Sequence, residues 1–260
     1  MSRTLAPIGR RLAEVCGYRR VGAYDILACD DPDGPVPDPG QFYMLAAAER
    51  WGGGVDERPF LPRAFSVMRR VDGRLEFMLE AVGPGTTRLG ELREGDGLWI
   101  TGPFGNGFAP PRERRRPLLV GGGVGAAPLA IWQDATGAEV LLGFRDAEHA
   151  EGASLLRDAR VATDDGSVGH KGPVTDLLLA ELGRDPQLEV YACGPPAMLE
   201  AVRAICAEHG VPAQLALESG MACGYGACFG CVVQTTTGYV RLCVDGPVLD
   251  ASTLDDVSHP

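Results

Sequence analysis

The sequence is poor in features that mark several common protein classes. Of its 24 basic residues only Lys171 is a lysine, and the acidic excess gives a formal net charge of −11. A chain of this charge has no basic stripe to neutralise phosphates, so no nucleic-acid partner is expected. Residues 1–7 lack the apolar core of a signal peptide, which makes the cytoplasm the expected location.

Long apolar runs and obvious catalytic clusters are also missing. The longest apolar run, at 117–132, contains four glycines and two prolines and is too short to span a membrane, so no membrane partner is expected. The four histidines (His149, His170, His209 and His259) show no metal-ligand spacing. No nucleophile motif and no paired carboxylates support a hydrolase.

The first part of the chain is rich in short strands. With 260 residues, the protein has room for two ordinary domains and a small appendage. Runs of aromatic and apolar residues occur at 40–45, 65–68, 75–79 and 98–101, with turn formers between them. They predict an antiparallel β-barrel over residues 1–111, with a helix within 86–93.

Residues 112–211 have a different pattern, because apolar strands alternate with helices. Strands are predicted at 118–120, 138–144, 160–163 and 188–193, and helices after the glycines at 121–125 and over 176–182 and 196–209. This alternation predicts an α/β domain with a parallel sheet. The charged run at 112–116 is predicted to be a solvated linker.

The strongest motif is a group of four cysteines in residues 212–260. Cys223, Cys228, Cys231 and Cys243 follow the spacing C-x4-C-x2-C-x11-C, which matches the plant-type pattern for a [2Fe–2S] cluster. Glycines between the cysteines suit a loop whose backbone N–H groups approach the sulfurs. A structural zinc site usually has two C-x2-C pairs, and only one is present. We therefore predict a small C-terminal cluster subdomain, with zinc or purely structural cysteines as alternatives.

Two loops of the α/β domain are candidates for a dinucleotide site. Gly121, Gly122, Gly123 and Gly125 form a turn that opens a helix, where backbone N–H groups and the helix dipole favour a pyrophosphate. The loop Cys193-Gly194-Pro195 follows a later strand and should line the same crevice. Close packing of strand and helix explains the glycines equally well. For Cys193, the alternative to a role in dinucleotide binding is that of a small buried residue at the end of a strand.

The barrel carries a second set of candidates at the ends of its predicted strands. In Arg63-Ala64-Phe65-Ser66, the arginine can bind a diphosphate and the serine can hydrogen-bond a flavin ring. Gly85 and Thr86 can offer a backbone N–H and a hydroxyl group. Taken singly, each of these residues is better explained by a surface salt bridge or a turn.

The order of these parts resembles the ferredoxin–NAD(P) reductase superfamily and, more closely, the electron-transfer subunits of class B dihydroorotate dehydrogenase. The most specific matches are the stretches at 218–231 and 242–249. The resemblance implies an FAD-binding barrel, an NAD-binding α/β domain and a [2Fe–2S] subdomain. It also implies that the four cysteines ligate the cluster.

The resemblance assigns roles to individual residues. FAD would be bound by Arg63, Ala64, Phe65, Ser66, Met78, Leu79, Glu80, Gly85 and Thr86, and NAD by Gly121, Gly122, Gly123, Gly125, Cys193, Gly194 and Pro195. Ser66 at the flavin and Cys193 at the nicotinamide would be the catalytic residues. The family commonly has proline where this chain has Ala64, and a smaller aliphatic residue where it has Phe65, which affects the expected geometry of the flavin site.

The family's activity requires a partner. An FMN-containing catalytic subunit would oxidise dihydroorotate for pyrimidine (UMP) biosynthesis, and electrons would reach NAD+ through the cluster and FAD. The chain is too short for an additional (β/α)8 barrel of about 250 residues, so a partner subunit is required. The resemblance implies a heterotetramer of two subunits of each kind. The alternatives are a flavin subunit serving a ferredoxin-dependent oxidoreductase, a sulfur reductase or a hydrogenase, and a zinc-stabilised binding module. The sequence does not distinguish NAD from NADP, because Asp146 would favour the free ribose hydroxyl of NAD whereas Arg145 would favour the phosphate of NADP.

Overall fold

The structure is a computed structural model that describes residues 9–52, 59–185, 187–255 and 257. The strands of these residues form two seven-stranded sheets and a two-stranded hairpin. The front sheet is antiparallel throughout, whereas the back sheet is parallel except at one edge. The predicted fold class, an antiparallel β-barrel joined to an α/β domain, is confirmed.

The front sheet is formed by the first part of the chain. Its strands are β1 (Arg11–Val21), β2 (Tyr24–Asp30), β3 (Phe42–Ala47), β4 (Arg63–Ser66), β5 (Arg69–Val71), β6 (Arg74–Leu79) and β7 (Gly97–Phe104), with helix α1 (Pro84–Gly90) before β7. They pair in the order β4-β3-β7-β1-β2-β6-β5, and β4 also contacts β6. The sheet therefore curls into a half-barrel around buried side chains such as Val15, Tyr43, Leu45, Phe77 and Ile100.

The remaining elements belong to the α/β domain and the C-terminal segment. The strands are β8 (Arg116–Gly122), β9 (Glu139–Phe144), β10 (Arg160–Thr163), β11 (His170–Lys171), β12 (Leu188–Cys193), β13 (Ala213–Ala216), β14 (Val232–Thr235), β15 (Gly238–Arg241) and β16 (Val248–Asp250). The helices are α2 (Ala126–Thr136), α3 (Ala147–Ala150), α4 (Val174–Leu182) and α5 (Pro196–Glu208). The predicted strands and helices of this region lie within or beside these elements.

The order of the back sheet determines where a ligand can bind. Its strands run β11-β10-β9-β8-β12-β13-β16, so the chain moves outward from β8 on one side and then returns to β12 on the other. This is the switch point of an open α/β sheet, and ligands bind beyond the carboxyl ends of the strands at such a point. The glycine turn follows β8 and the Cys193 loop follows β12, so both lie at this edge.

The charged run at 112–116 is exposed over residues 112–114, in keeping with the predicted solvated segment, and it is anchored at its two ends. The backbone N–H of Arg112 donates to the buried carboxylate of Glu189 at 2.7 Å, and its guanidinium pairs with Asp250 at 2.5 Å. Arg116 begins β8 and pairs with Asp185. A buried carboxylate is costly unless it is bonded, which explains why the run is held at these points.

The C-terminal segment packs on both sheets. Strand β16 pairs antiparallel with β13 at the edge of the back sheet, with Ala216 opposite Val248. The side-chain amide of Asn106, next to the end of β7, donates to the carbonyls of Val244 (3.2 Å) and Asp245 (2.9 Å). The stretch between β13 and β16 is therefore held at both of its ends. The predicted domain boundaries at 111 and 211 remain predictions.

Candidate functional site

The two loops predicted to bind a dinucleotide are in direct contact. In β8 and β12, Gly121 lies opposite Cys193. A Cβ atom on Gly122 would lie 2.7 Å from the Sδ of Met198, and one on Gly125 would lie 2.7 Å from the backbone N of Gly194. Side chains at these two glycines would therefore push the loops apart. The structure brings Gly121, Gly122, Gly123, Gly125, Cys193, Gly194 and Pro195 together at one edge of the sheet.

A cavity of about 220 Å³ opens in front of the glycine turn. The half-barrel contributes Phe42, Ala64, Phe65, Ser66, Met78, Glu80, Val82 and Thr86, the glycine turn and α2 contribute Val124 and Ala127, and the C-terminal segment contributes Leu217, Glu218, Ser219, Met221 and Pro247. Most of this lining is apolar, with a few polar groups among it, as is usual for a cofactor site. Six of the nine residues predicted to bind FAD line this one cavity.

The other three predicted FAD residues have different positions. Leu79 is buried in the core of the half-barrel, because alternate residues of β6 point to opposite faces, so only its backbone can face a ligand. Arg63 and Gly85 lie against each other beside the cavity. A Cβ atom on Gly85 would be 2.6 Å from the Nε of Arg63. The guanidinium can therefore pack against the backbone at position 85 only because that residue is glycine.

The two predicted catalytic residues lie in different surroundings. Ser66 lines the cavity, whereas Cys193 is fully buried at the end of β12. Burial raises the pKa of the Cys193 thiol well above its usual value, and the nearby Glu218 carboxylate adds to this rise. Cys193 is therefore a neutral thiol at physiological pH. It can act by packing and by weak hydrogen bonding, but not as a nucleophile.

Glu218 and Ser219 are cavity residues that the sequence motifs did not assign. Both follow β13 and lead directly into the cysteine loop. Glu218 has solvent-exposed surface, yet the surrounding protein raises the pKa of its carboxyl by partial desolvation. The hydroxyl of Ser219 is buried and has no hydrogen-bond partner among the described residues. The signal for both is their position a few residues before the first cluster cysteine, Cys223.

The four cysteines form two pairs with different environments. We call Cys223 and Cys228 the outer pair, because Cys228 is exposed and Cys223 half-buried. Desolvation opposes ionisation of Cys223, but N–H groups of Cys228, Tyr225 and Ala227 and the Cys228 side chain outweigh it and lower its pKa to about 6. Gly224 and Gly226 have φ values of 81° and 87°, which other residues rarely adopt. These turns direct the N–H groups toward the sulfur.

Cys231 and Cys243 form the inner pair, which is buried. The backbone N–H of Cys243 donates to the Sγ of Cys231 at 3.4 Å, and the backbone N–H of Leu242 donates to the carbonyl of Cys231 at 3.0 Å. Burial and the Cys231 side chain raise the pKa of Cys243 to about 12. The Sγ of Cys243 also accepts a hydrogen bond from the backbone N–H of Gly226 and interacts electrostatically with Cys223. The inner pair therefore lies close to the outer pair.

This donor set fits an iron–sulfur centre better than a single metal ion. Within the ranges given above, no three His, Cys, Asp or Glu side chains are arranged to hold one ion. Four thiols with plant-type spacing, with backbone N–H groups directed at the sulfurs, are what a two-iron cluster requires. A Cβ atom on Gly224 would lie 2.9 Å from the Sδ of Met44, so the loop rests closely on the half-barrel.

Cys223 of the outer pair lines an apolar groove at the surface. The groove is lined by Arg10, Met44, Leu61, Pro62, Thr101, Ala222, Cys223 and Tyr225 and has a volume of about 450 Å³. Tyr225 is 45% exposed and Phe229 is 62% exposed. Both aromatic residues lie in the cysteine loop. None of the described helices is long and apolar enough to cross a membrane.

The chain is similar to proteins of one named family over most of its length. Residues 218–255 match the iron–sulfur cluster binding domain of dihydroorotate dehydrogenase B. The chain is 38% identical over 244 residues to the dihydroorotate dehydrogenase B (NAD(+)) electron transfer subunit of Caldanaerobacter subterraneus, covering 91% of this chain and 94% of that protein. The subunit of the same name from Clostridium acetobutylicum is 37% identical, with coverage of 83% and 85%.

Solved structures show the same architecture. The NADH-dependent reduced ferredoxin-NADP oxidoreductase, a structure studied for flavin-based electron bifurcation, has a TM-score of 0.78 and 27% identity, over 95% of this chain and 91% of the other. The ferredoxin reductase of carbazole 1,9a-dioxygenase has a TM-score of 0.66 and 26% identity, over 80% and 68%. The half-barrel and the α/β domain thus follow the ferredoxin reductase arrangement.

Proposed function

The chain belongs to the family of electron-transfer subunits of dihydroorotate dehydrogenase B (NAD(+)), and from this premise we propose that it passes electrons from the FMN of a catalytic partner subunit to NAD+. The partner oxidises dihydroorotate to orotate in pyrimidine (UMP) biosynthesis. We propose a heterotetramer of two subunits of each kind, located in the cytoplasm. None of the eight cysteines is in a disulfide bond, in keeping with a reducing compartment.

One observation carries this proposal. The cavity in front of the glycine turn is walled by the half-barrel, by the start of α2 and by residues 217–221, which lead into the cysteine loop. A flavin in this cavity would lie between the dinucleotide loops and the cluster cysteines. That order of sites is what a protein needs to connect a one-electron carrier to a hydride carrier, and FAD when bound supplies that exchange.

The proposed roles of the residues follow from their positions. Ser66 lines the cavity and can hydrogen-bond the flavin ring, while Arg63 and Gly85 are placed beside it for the diphosphate. The remaining FAD contacts are assigned to Ala64, Phe65, Met78, the backbone of Leu79, Glu80 and Thr86. The NAD contacts are assigned to the two loops of the α/β domain, through Gly121, Gly122, Gly123, Gly125, Gly194 and Pro195. Cys193, at the end of β12, would support the nicotinamide ring.

The cluster would be held by the outer and inner pairs together. The half-buried loop and its N–H groups stabilise thiolate charge on Cys223, and the buried inner pair fixes the side of the centre that faces the protein. We propose that residues 1–111, 112–211 and 212–260 correspond to the FAD, NAD and cluster modules. The groove beside Tyr225 then lies on the cluster module's side of the molecule, where the catalytic partner would approach.

The test is to co-express this chain with an FMN-containing (β/α)8 dihydroorotate dehydrogenase subunit from the same genome. We expect a complex that contains iron, sulfide and FAD and that reduces NAD+ with dihydroorotate. The chain alone should carry the flavin and the cluster but should not oxidise dihydroorotate. An isolated chain that holds neither iron nor flavin after anaerobic reconstitution would refute the proposal.

A second candidate is a flavin subunit that serves another partner. Its support is the similarity of this chain to the NADH-dependent reduced ferredoxin-NADP oxidoreductase over 91% of that chain. The same co-expression experiment separates the two candidates. Iron and flavin in the chain without a productive complex, together with NADH-dependent reduction of ferredoxin, would favour this second candidate.

A further inference from the structure

An arginine to which the proposed electron path assigns no role lies beside the cysteine loop. Arg241 is the last residue of β15 and precedes Cys243 by two positions. Its side chain is 33% exposed, so most of it rests against the protein. Because an arginine stays protonated in proteins, Arg241 gives the site of the four cysteines a permanent positive charge within a chain of net charge −11.

The backbone of Arg241 is fixed by the turn that carries Cys243. The backbone N–H groups of Val244 and Asp245 both donate to the carbonyl of Arg241, at 3.0 and 2.8 Å. The Oδ2 of Asp245 accepts the backbone N–H of Arg241 at 3.0 Å and lies 3.7 Å from its guanidinium Nε. The arginine and an inner-pair cysteine therefore belong to the same closely bonded turn.

The guanidinium reaches from that turn to the outer pair. Its Nη1 donates to the carbonyl of Gly226 at 3.0 Å. The N–H of the same peptide group belongs to Ala227, and it donates to the sulfur of Cys223. A hydrogen bond to the carbonyl of a peptide polarises it and strengthens the bond that its N–H makes. The charge of Arg241 therefore acts on an outer-pair sulfur through one peptide group.

The guanidinium also contacts the turn between Cys228 and Cys231. Its Cζ lies 5.1 Å from the ring centre of Phe229, within the range of a cation–π interaction. Phe229 has a φ of 58°, in the left-handed region that a bulky residue seldom adopts. The next residue, Gly230, donates its N–H to the Sγ of Cys228 at 3.4 Å. The contact with Arg241 therefore helps to hold a strained turn that bonds a cluster cysteine.

We propose that Arg241 sets the reduction potential of the cluster and holds the cysteine loop in its binding conformation. Taking up one electron adds negative charge beside thiolates that are already negative, and a nearby positive charge or hydrogen bonds to the sulfurs favour that change. Asp245 opposes the effect, because its carboxylate partly neutralises the guanidinium. Arg241 is thus a positioning residue. This inference rests on the proposed function, since it requires a cluster at the four cysteines.

The experiment uses the full chain after anaerobic reconstitution and measures the midpoint potential of the cluster by a reductive titration followed by EPR. Arg241→Gln should lower the equilibrium constant for one-electron reduction about tenfold, which is about 59 mV for such a couple. Arg241→Lys keeps the charge, so it should hold this constant within about twofold of the wild type. Asp245→Asn keeps an oxygen for the Arg241 N–H but removes a negative charge, so it should shift the potential upward.

A second readout is the rate at which the chain loses iron to a chelator. Arg241→Gln and Arg241→Lys should both lose iron several-fold faster than the wild type, because neither new side chain can bond Gly226 and stack on Phe229 as a guanidinium does. Arg116→Gln is the matched control. Arg116 is 41% exposed at the amino end of β8, whereas the cysteine segment follows the carboxyl end of β13, which runs parallel to it. This variant should change neither readout.

Several outcomes would overturn the inference. An unchanged potential in Arg241→Gln, or an equal fall in Arg241→Lys and Arg241→Gln, would show that the charge does not set the potential. Wild-type rates of iron loss in both variants would exclude a role in holding the loop. If Arg241→Gln holds no iron, Asp245→Asn decides, and a potential there that is unchanged or lower would overturn the inference. A wild-type chain that holds no iron would instead refute the proposed function.

Discussion

The outer and inner cysteine pairs serve one proposed centre but belong to different environments. Cys223 and Cys228 are held by the backbone of an exposed loop, and Cys223 has a lowered pKa. Cys231 and Cys243 are part of the same hydrophobic core that packs against α5 and the back sheet. The difference indicates that the inner pair contributes to folding as well as to metal binding, whereas the outer pair contributes to metal binding alone.

The largest expected effect comes from replacing one cysteine of each pair. Cys228→Ser and Cys231→Ser should both abolish the visible bands of the cluster. When cluster-free chains are compared, Cys228→Ser should change the free energy of unfolding by no more than about 0.5 kcal/mol, because its side chain is exposed. Cys231→Ser should cost about 1–3 kcal/mol, because it places a hydroxyl in the core. Absorption spectra and denaturant unfolding measure these effects.

Cys206→Ser provides the matched control. Cys206 is 1% exposed and belongs to the same core as Cys231, but it is outside both pairs. It should destabilise the protein to a similar extent and keep the cluster bands. Cys228→Ser should also retain NADH-dependent reduction of a dye while losing electron transfer from the partner. Intact bands in Cys228→Ser would show that the outer pair is assigned wrongly.

The second prediction concerns the glycines that shape the outer pair. Gly226→Ala would place a Cβ 2.6 Å from the Cγ2 of Val244 in a residue with φ of 87°. We expect a loss of stability of about 1–3 kcal/mol and a lower iron content per chain. Gly220→Ala, in the same segment but with no atom within 4 Å of the new Cβ, should leave both unchanged. Equal iron content in both variants would contradict this reading of the loop.

The third prediction tests whether the exposed side of the outer pair meets the partner. Tyr225→Ala should weaken binding of the catalytic subunit about tenfold and hardly affect stability, since aromatic residues at the centre of an interface carry much of its energy. Tyr239→Ala removes a tyrosine that is 75% exposed on β15, away from the groove. It should leave the affinity unchanged. Calorimetric titration of the two purified subunits distinguishes these outcomes.

The smallest expected effect is at Cys193, a cysteine outside both pairs. Cys193→Ala should leave the cluster spectrum unchanged and lower the rate of NADH-dependent dye reduction only a few-fold, because a neutral thiol in the proposed position beside the nicotinamide would support the ring without reacting. Stopped-flow reduction of the flavin by NADH measures the rate. A change in the cluster bands would show that Cys193 contributes to the metal site, which its position at the end of β12 does not suggest.

Local features of this protein were predictable from the sequence, whereas contacts between distant segments were not. The cysteine spacing and the glycine turn are set by neighbours in the chain, and the helices of the α/β domain follow their own periodicity. Strand β1 is not evident, because Arg11, Glu14 and Arg19 alternate with few large apolar residues and are held by partners such as Asp31 and Glu76.

The composition of the flavin cavity also depends on tertiary structure. Glu218, Ser219 and Met221 reach it only because β13 ends at the edge of the back sheet beside the half-barrel. The bonding of Arg145 to Glu80 joins residues that are 65 positions apart. Patterns within a window of residues contain no information on such pairs, so the bond between Arg145 and Glu80 could be found only from the fold.

The pairing of Ala216 with Val248 has a consequence for the origin and use of the cysteine segment. The backbone N–H of Leu217 also donates to the carbonyl of Pro247 at 2.9 Å, so this segment departs from and rejoins the sheet at adjacent points. In topological terms it is an insertion into a β-hairpin. A reductase could gain or lose such an insertion without rearranging its sheet, and an engineer could transplant it as one cassette.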